Sequence, residues 1–148
     1  MQVKDIMTMS PVVVTPGDSI TLAAQCMRDW DIGVLPVVED RRHKRLVGVI
    51  TDRDVVVRCI ASAHSDRCSV GDHMTPSPIV TTFPESEIHL AIDAMRHGRV
   101  RRIPVVDASE LLLGMLTQAD IARHLAGSDA TVVARLVEEI SQPAAAAV

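Results

Sequence analysis

Two stretches of the chain repeat one order of apolar and polar positions. In each stretch a proline precedes a short β-branched run, at residues 12–14 and 79–81, and an amphipathic helical segment follows. Two apolar, β-branched runs come next, LPVV and LVGVI in the first stretch and IPVV and LLLGML in the second, with polar turns between them. A further helix begins where the last run ends. The pattern predicts a unit of strand, helix, strand, strand and helix that occurs twice.

The two stretches also share residues in register. At an offset of 67 residues VKDIMT aligns with VGDHMT, and at an offset of 66 GVITDRD aligns with GMLTQAD. The changes of offset fall in turns, where insertions are tolerated. One copy has too little chain to bury its own sheet and helices, so we expect the two copies to pack on each other about a pseudo-twofold axis. The predicted fold class is α+β, with two βαββα repeats and a C-terminal helix.

The repeats set the predicted domain organisation. We assign residues 1–62 to the first repeat, 63–69 to a linker, 70–126 to the second repeat, 127–141 to a C-terminal helix and 142–148 to a flexible tail. The C-terminal helix is amphipathic, with one apolar face formed by Val132, Val133, Leu136, Val137 and Ile140. This apolar face has two interpretations: the helix docks on the core, or it contacts a second copy of the chain.

Short polar residues mark where the repeated helices begin. Asp18 and Ser86 are predicted to cap the first helix of each repeat, and Thr51 and Thr117 the second. The apolar positions that follow predict the faces that pack on the core: Leu22, Ala23, Cys26, Met27 and Trp30 in the first repeat, and Ile88, Ala91, Ile92 and Met95 in the second. Each repeat is therefore expected to bury one helix stripe against its strands.

Composition excludes two classes of partner. The 148 residues carry 15 Lys and Arg against 19 Asp and Glu, a net charge of -4, so no basic excess is available to neutralise a phosphate backbone. Trp30 and Phe83 are the aromatic side chains, which leaves no stacking platform for single-stranded nucleic acid. No stretch reaches the ~18 apolar residues of a membrane span. We therefore expect a cytoplasmic protein that binds neither nucleic acid nor membrane.

Cysteine and histidine spacing gives no metal motif. Cys26, Cys59 and Cys68 lack CxxC spacing and are interpreted as reduced thiols, with pairing of Cys59 and Cys68 under oxidation as the alternative. The 6 histidines form no HxxxH pair and none joins a cysteine at ligand spacing, so no metal site is predicted. A pair made by His97 and His124 from neighbouring helices is the alternative.

The polar residues that recur at strand ends carry the candidate chemistry. GVITDRD and GMLTQAD place Thr51 and Asp54, and Thr117 and Asp120, at the start of a helix. An anion is favoured at a helix N-terminus, and a fixed carboxylate there accepts hydrogen bonds from the 2′- and 3′-hydroxyls of a ribose. The alternative is that each threonine caps its helix and each aspartate complements the helix dipole. The presence of two copies in register favours a ligand.

An apolar slot for a planar base is predicted beside these residues. Leu35 and Pro36 in the first repeat and Pro104 in the second lie at the opening of the central strands, where a proline leaves room because it offers no N–H. We expect the base to lie between them and Thr15 or Thr82, where backbone groups would recognise it.

Arginines near the strand ends are candidate phosphate ligands. RHGRVRR places Arg101 and Arg102 before the second central strand, where alternation sends one of them toward the ligand, and Arg53 is the counterpart in the first repeat. A solvated basic edge is the alternative. No nucleophile, base and orienting group are spaced as a catalytic unit, so the chain is not predicted to be an enzyme.

These motifs resemble a tandem pair of cystathionine-β-synthase (CBS) domains, also called a Bateman module. The resemblance rests on DIMT, LPVV and GVITDRD, then HMTPSP, RRIPVVD and GMLTQAD, and covers about residues 1–125. The ending ADIARHL is also similar to that of small stand-alone members of the mycobacterial hypoxic-response type. The family implies an adenosine-containing regulatory ligand (AMP, ADP, ATP, S-adenosylmethionine or NAD) in the clefts between repeats. It also implies disc-like dimers, so we expect a homodimer and an unidentified regulated protein.

The chain departs from the family pattern in its second repeat. Gln118 and Ala119 stand where the first repeat has Asp52 and Arg53, so equal occupancy of two sites is not implied. Some similar stand-alone members carry a metal on a histidine pair. His124 matches their pattern but His97 is one residue out of register, so the metal site is not carried over. The alternative function is a ligand-free dimerisation or stress-associated scaffold, with or without a metal.

Overall fold

The computed structural model describes residues 1–64 and 67–142, which form two compact units with one three-stranded sheet each. The helices are α1 (Ile20–Trp30), α2 (Asp52–Asp54), α3 (Val70–His73), α4 (Ile88–Gly98), α5 (Gln118–Leu125) and α6 (Ala130–Ser141). The strands are β1 (Thr8–Met9), β2 (Val34–Val38), β3 (Leu46–Thr51), β4 (Thr75–Pro76), β5 (Arg102–Val106) and β6 (Leu112–Thr117). This mixture confirms the predicted α+β class.

The first-repeat unit holds residues 10–79 and 108–112. Its sheet has the strand order β2-β3-β4 with antiparallel neighbours, and Thr51 at the end of β3 stands opposite the first residue of β2. The apolar face of α1 packs on the sheet together with residues of the segment after β3. The buried core consists of Val14, Ile20, Ala23, Met27, Leu35, Val37, Ile50, Val55, Cys59 and Val70.

The second-repeat unit holds residues 1–9, 80–107 and the described residues from 113 onward. Its sheet has the order β1-β6-β5, in which Thr8 stands opposite Met115. Helices α4, α5 and α6 cover this sheet. The buried core consists of Val3, Ile6, Ala91, Ile92, Met95, Ile103, Val105, Leu116, Ile121, Leu136 and Ile140.

Each unit takes its third strand from the beginning of the other repeat. Strand β1 lies at the start of the first repeat but pairs with β6 of the second, whereas β4 lies at the start of the second repeat but pairs with β3 of the first. A glycine lies under each added strand. A Cβ at Gly48 would be 2.4 Å from the carbonyl oxygen of Thr75, and one at Gly114 would be 2.6 Å from that of Thr8. These glycines are therefore required by close backbone approach.

The predicted start of the second helix of each repeat is confirmed, whereas that of the first is displaced by one residue. Thr51 and Thr117 are N-caps, but α1 is capped by Ser19 and α4 begins after Glu87 in place of the predicted Asp18 and Ser86. The carboxylate of Asp18 instead accepts the backbone N–H of Thr15 and pairs with Arg41, so it is committed to the preceding turn.

The predicted helix stripe of the first repeat is too wide. The side chains of Leu22 and Trp30 are 37% and 65% exposed, whereas Ala23 and Met27 are buried. A helix of this length turns its core face through Ile20, Ala23 and Met27, at intervals of three and four residues, and leaves Trp30 at the solvent-facing end.

The helix after Thr51 changes register within one turn. α2 gives way to a π-helical segment, Val55–Ile60, and the N–H of Ala61 donates to the carbonyl of Val56 at 2.8 Å. Three consecutive valines open this segment, and their branched Cβ atoms disfavour regular α-helical packing. The sequence predicted a continuous helix, so this register is a correction.

The C-terminal helix docks on the core of the second-repeat unit. Leu136 and Ile140 of α6 are buried among residues of α4 and α5, as the first of the two interpretations expected. Val137, on the predicted apolar face, is 41% exposed. The predicted run at residues 12–14 contributes a single parallel bridge, from Val14 to Val37, whereas in the second repeat the matching bridge joins Val105 to Thr82, one residue after the predicted run 79–81. The predicted tail beyond residue 142 lies outside the described residues.

Candidate functional site

Each repeated Thr and Asp pair forms a reciprocal cap at the junction of a strand and a helix. The hydroxyl of Thr51 accepts the N–H of Asp54 at 3.0 Å, and Oδ2 of Asp54 accepts the N–H of Thr51 at 3.0 Å. The corresponding distances for Thr117 and Asp120 are 3.1 and 3.0 Å. The aspartates are 8% and 6% exposed. Both pairs therefore make the helix-cap contacts that the alternative interpretation expected. The contact with a ribose stays a prediction.

The second oxygen of each aspartate faces an arginine one turn along the helix. Nη2 of Arg123 donates to Oδ1 of Asp120 at 2.7 Å, and Nε of Arg58 lies 3.5 Å from Oδ1 of Asp54. The arginine side chains are 71% and 50% exposed. Each pair is therefore a partly solvated contact, and those contribute roughly 0–1 kcal/mol. Oδ1 is thus the more replaceable oxygen of each carboxylate.

In the first-repeat unit the predicted site residues gather around the first half of β2. The N–H of Val14 donates to the carbonyl of Pro36 at 3.1 Å, which places Thr15 next to this strand. Thr51 faces the start of the same strand. Leu35 is fully buried in the core, so its side chain contributes to packing.

In the second-repeat unit the same residues meet around β5. The N–H of Thr82 donates to the carbonyl of Pro104 at 3.1 Å, and Thr82 is buried. The N–H of Gln118 donates to the carbonyl of Arg101 at 2.8 Å, which joins the start of α5 to the residue before β5. Thr117 and Arg102 are thereby held at neighbouring strand ends.

The two prolines lie at the third position of their strands, not at the start as the sequence suggested. The carbonyl of Pro36 accepts the N–H of Val14, and that of Pro104 accepts the N–H of Thr82. The backbone polar groups of each proline therefore point to the strand edge beside Val14 or Thr82, away from β3 or β6. The missing N–H therefore removes no bond between β2 and β3 or between β5 and β6.

The candidate phosphate ligands lie at the surface. Arg53, Arg101 and Arg102 are exposed. The backbone N–H of Arg53 donates to the carboxylate of Asp52 at 2.8 Å. Arg53 and Arg102 therefore remain candidates for a phosphate, with the solvated basic edge as the alternative.

A small cavity in the second-repeat unit is separate from these residues. It has a volume of about 140 Å³ and is lined by Ile92, Arg96, Asp129, Thr131, Val132 and Arg135. Ligand pockets for molecules of nucleotide size run from roughly 300 Å³ upward, so this cavity is too small for one.

The spacing of cysteines and histidines in the sequence did not predict one group of potential metal ligands. Cys59, Cys68 and His73 bring their potential ligand atoms within 4.8 Å of one another, and His64 contacts His73. Burial and the neighbouring Cys59 thiol raise the pKa of Cys68. The set has no CxxC spacing, since 8 residues separate Cys59 from Cys68 and 4 separate Cys68 from His73. Alternation of Cys and His over 15 residues, C-x4-H-x3-C-x4-H, was the available signal.

The histidines considered from the sequence do not form such a group. Nδ1 of His97 faces the carbonyl of Asp93 at 2.7 Å, and Nδ1 of His124 faces that of Asp120 at 2.8 Å. Each ring is thus held against its own helix by one nitrogen. Within residues 1–64 and 67–142, neither belongs to a set of three potential ligands.

Among the described residues, none of the helices combines the length and apolar character that crossing a membrane requires.

The CBS domain family matches this chain twice, at residues 3–60 and 70–127. Hypoxic response protein 1 from Mycobacterium tuberculosis is 35% identical over 122 residues, which cover 82% of this chain and 83% of that protein. A crystal structure of Hypoxic Response Protein I with two coordinated zinc ions superposes with a TM-score of 0.76 and covers 84% of this chain and 99% of that one.

Two further solved structures contain adenosine derivatives. CBSX2, a CBS-pair protein from Arabidopsis thaliana, was crystallised in complex with AMP; it is 30% identical, with a TM-score of 0.72, over 85% of this chain and 96% of that one. The CBS domain pair of protein MJ0100, in complex with 5-methylthioadenosine and S-adenosyl-L-methionine, is 28% identical, with a TM-score of 0.74, over 86% and 97% of the two chains.

Proposed function

Because the chain belongs to the CBS domain family, as a tandem pair, we propose that it is a regulatory module that binds an adenosine-containing ligand. The observation that carries the proposal is the capped Thr-x-x-Asp at the same strand end of both units, beside a strand that contains a proline. The AMP and S-adenosyl-L-methionine complexes of two similar CBS-pair proteins support this class of ligand.

In the proposed sites the ribose replaces an arginine at each aspartate. Oδ2 of Asp54 and of Asp120 stays in the helix cap, while Oδ1 exchanges its arginine contact for a ribose hydroxyl. The loss is small because the arginine side chains are half or more exposed. The hydrogen bond to a fixed carboxylate is charge-assisted, and such bonds contribute about 1.5–3 kcal/mol.

The two sites are expected to differ in affinity. Arg58 lies 3.5 Å from Asp54, whereas Arg123 donates to Asp120 at 2.7 Å, so the ribose displaces a tighter contact in the second-repeat unit. Arg53 also has no basic counterpart, since Ala119 stands at the matching position. We therefore propose that a phosphorylated ligand binds first in the first-repeat unit.

The remaining site residues are proposed to contact the base and the phosphate. Thr15, Pro36 and the backbone of Leu35 would face the base in the first-repeat unit, and Thr82 and Pro104 in the second. Arg53 and Arg102 would bind phosphate. We propose that the chain forms a homodimer that regulates an unidentified partner protein. A ligand can change the balance between two conformations of the module by no more than the difference between its affinities for them.

Calorimetry with AMP, ATP, NAD and S-adenosylmethionine tests the proposal. We expect saturable binding of at least one of them, and absence of heat from all four at millimolar concentration would overturn it. Asp54→Ala and Asp120→Ala should weaken binding by about 1–3 kcal/mol, or on the order of 5- to 150-fold.

Matched variants separate loss of the ribose contact from loss of a helix cap. Asp72 and Asp5 occupy the same third position of capping boxes elsewhere, so Asp72→Ala and Asp5→Ala remove a cap and leave the candidate sites intact. Affinity should be retained in these controls. Equal affinity in wild type, Asp54→Ala and Asp120→Ala would show that the ribose assignment is wrong.

Arg53→Ala reports on the phosphate. It should reduce affinity for AMP while leaving affinity for adenosine unchanged, because the substitution removes the guanidinium that would bind the phosphate and adenosine has no phosphate. A parallel loss for both ligands would contradict the assignment of Arg53.

A further inference from the structure

Potential metal ligands from separate parts of the first-repeat unit lie side by side. Sγ of Cys59, Sγ of Cys68 and a ring nitrogen of His73 are all within 4.8 Å of one another. Nδ1 of His64 lies 3.2 Å from Nε2 of His73. In residues 1–64 and 67–142, no other group of three His, Cys, Asp or Glu side chains is as close.

These separations fit a tetrahedral zinc site. Zn–N bonds of about 2.0–2.1 Å and Zn–S bonds of about 2.3 Å place neighbouring ligand atoms roughly 3.3–3.8 Å apart. The two imidazole nitrogens of His64 and His73, at 3.2 Å, already have this spacing. The ligand atoms of Cys59, Cys68 and His73 lie within 4.8 Å of one another and need to close by about 1 Å, whereas Nδ1 of His64 lies outside this set of three and has to move further toward the sulfur atoms. Rotation of side chains supplies such a movement.

The backbone holds the group from both sides. Cys59 is fully buried in the π-helical segment, a type of turn that is frequent at functional sites. The N–H of His64 donates to the carbonyl of Cys59 at 3.0 Å, which anchors the backbone of His64. Nη1 of Arg58 lies 3.4 Å from the carbonyl of His73, the last residue of α3. The backbone at Cys59, His64 and His73 is therefore held by contacts that do not depend on the ion.

We propose that Cys59, Cys68, His73 and His64 bind one zinc ion. Two thiolates neutralise the charge of Zn²⁺, and sulfur with imidazole is a ligand set that prefers zinc to magnesium or calcium. Two S–H bonds give way to two Zn–S bonds, and both protons pass to the buffer. His64 is exposed, so the ion enters from its side, while Cys59 and His73 are buried.

The ion would join two short elements of the first-repeat unit. α3 has four residues, and the π-helical segment has six. A structural zinc adds stability by binding the folded state in preference to the unfolded chain. The proposed site does not involve His97 or His124, and it goes beyond the adenosine-ligand function.

Metal analysis and cobalt spectroscopy test the proposal on the full chain. Protein purified with reductant and without chelator should retain one zinc per chain. Replacement by Co²⁺ should give a thiolate-to-cobalt charge-transfer band and the strong visible absorption of a tetrahedral site. Zinc should also protect Cys68, which is partly exposed like Cys26, from alkylation while Cys26 stays reactive, and this measurement needs no variant. Unchanged labelling of Cys68 in excess zinc would overturn the proposal.

Variants identify the ligands. Cys68→Ser and His73→Ala should lower zinc affinity by on the order of 100-fold or more, and Cys68→Ser should remove part of the charge-transfer band. Cys26→Ser and the double variant His97→Ala/His124→Ala should retain the metal and the spectrum. Zinc that is kept by Cys68→Ser and lost by the double histidine variant would show that the histidine pair is the site.

The oxidised state is the other outcome. Intact mass and thiol counting on protein prepared under nitrogen distinguish two reduced thiols from a bond between Cys59 and Cys68. A disulfide in that preparation, with no zinc uptake, would overturn the proposal.

Discussion

Thr117 and Asp120 hold each other through two backbone hydrogen bonds, with Asp120 N–H donating to the Thr117 hydroxyl at 3.1 Å and Thr117 N–H donating to the Asp120 carboxylate at 3.0 Å. Thr51 and Asp54 form the same pair in the other unit. Both carboxylates are therefore oriented by the fold itself. A ligand that contacts them meets acceptors that are already fixed, which reduces the ordering cost of binding.

Removal of the cap hydroxyl should destabilise the fold. Thr117→Val and Thr51→Val each leave a buried N–H without its acceptor, and we expect the free energy of unfolding to fall by about 1 kcal/mol. Thr117→Ser and Thr51→Ser retain the hydroxyl and should stay close to wild type. Urea unfolding measures the difference, and a valine variant as stable as its serine counterpart would contradict the cap.

A methyl group at either repeated glycine should displace an added strand. Gly48→Ala places Cβ 2.4 Å from the Thr75 carbonyl oxygen, and Gly114→Ala places it 2.6 Å from that of Thr8. Backbone must move to relieve these contacts, and overpacking of this kind costs typically about 1–3 kcal/mol.

Gly17→Ala is the matched control, because nothing lies within 4 Å of a Cβ there and its φ is negative. Thermal unfolding should show a lower Tm for Gly48→Ala and Gly114→Ala than for Gly17→Ala. Hydrogen exchange should show loss of protection beside β4 or β1. Equal Tm values for the three variants would contradict the close approach.

Shortening the side chain by which α6 packs on the core should lower the stability of the fold. Leu136 is fully buried, and Leu136→Ala should lower the free energy of unfolding by about 2–5 kcal/mol through lost packing and the cavity it leaves. Val137, exposed on the same helix, provides the control in Val137→Ala. Denaturant unfolding together with sedimentation distinguishes the roles of the helix. Loss of self-association in Leu136→Ala without loss of stability would show that α6 is chiefly a dimer contact.

The ion pair between α4 and α6 gives a pH dependence. The side-chain hydrogen bond from Arg96 holds the pKa of Glu139 below its usual 4.5. The unfolded chain therefore takes up the proton at a higher pH than the folded chain. The contribution of the pair to stability is complete above the unfolded pKa and is lost as the pH falls through the lower folded pKa.

Glu139→Gln removes this dependence. The difference in unfolding free energy between wild type and Glu139→Gln should be largest near neutral pH and shrink below about pH 4. Glu138→Gln, at an exposed neighbouring position, is the matched control. A difference that stays constant from pH 7 to pH 3 would contradict the assignment.

The features that were predictable from the sequence depend on neighbouring residues. Thr51 and Thr117 follow an apolar run and precede an aspartate by three positions, and this local pattern identifies a cap without knowledge of the fold. The duplication was visible for the same reason. Trp30 was misplaced because the apolar stripe was extended to the last residue of α1, where the helix faces solvent.

The features that were missed depend on residues far apart or on register. No spacing rule pairs β1 with β6, since more than 100 residues separate them in the sequence. The Cys59, Cys68 and His73 group depends on a π-helical turn that moves Cys59 away from its α-helical position. The arginines that contact Asp54 and Asp120 lie one helical turn further along the chain. Their contacts become visible only when the side-chain positions are known.

The exchange of leading strands makes neither repeat complete by itself. A fragment cut at the family boundaries, residues 70–127, would keep β5 and β6 but lose the strand beside β6 as well as Val3 and Ile6 from the core. The complementary fragment would lack β4 and expose the edge of β3. Single halves made by recombination or limited proteolysis should therefore be prone to aggregation. Any natural shuffling of this module should move both repeats together.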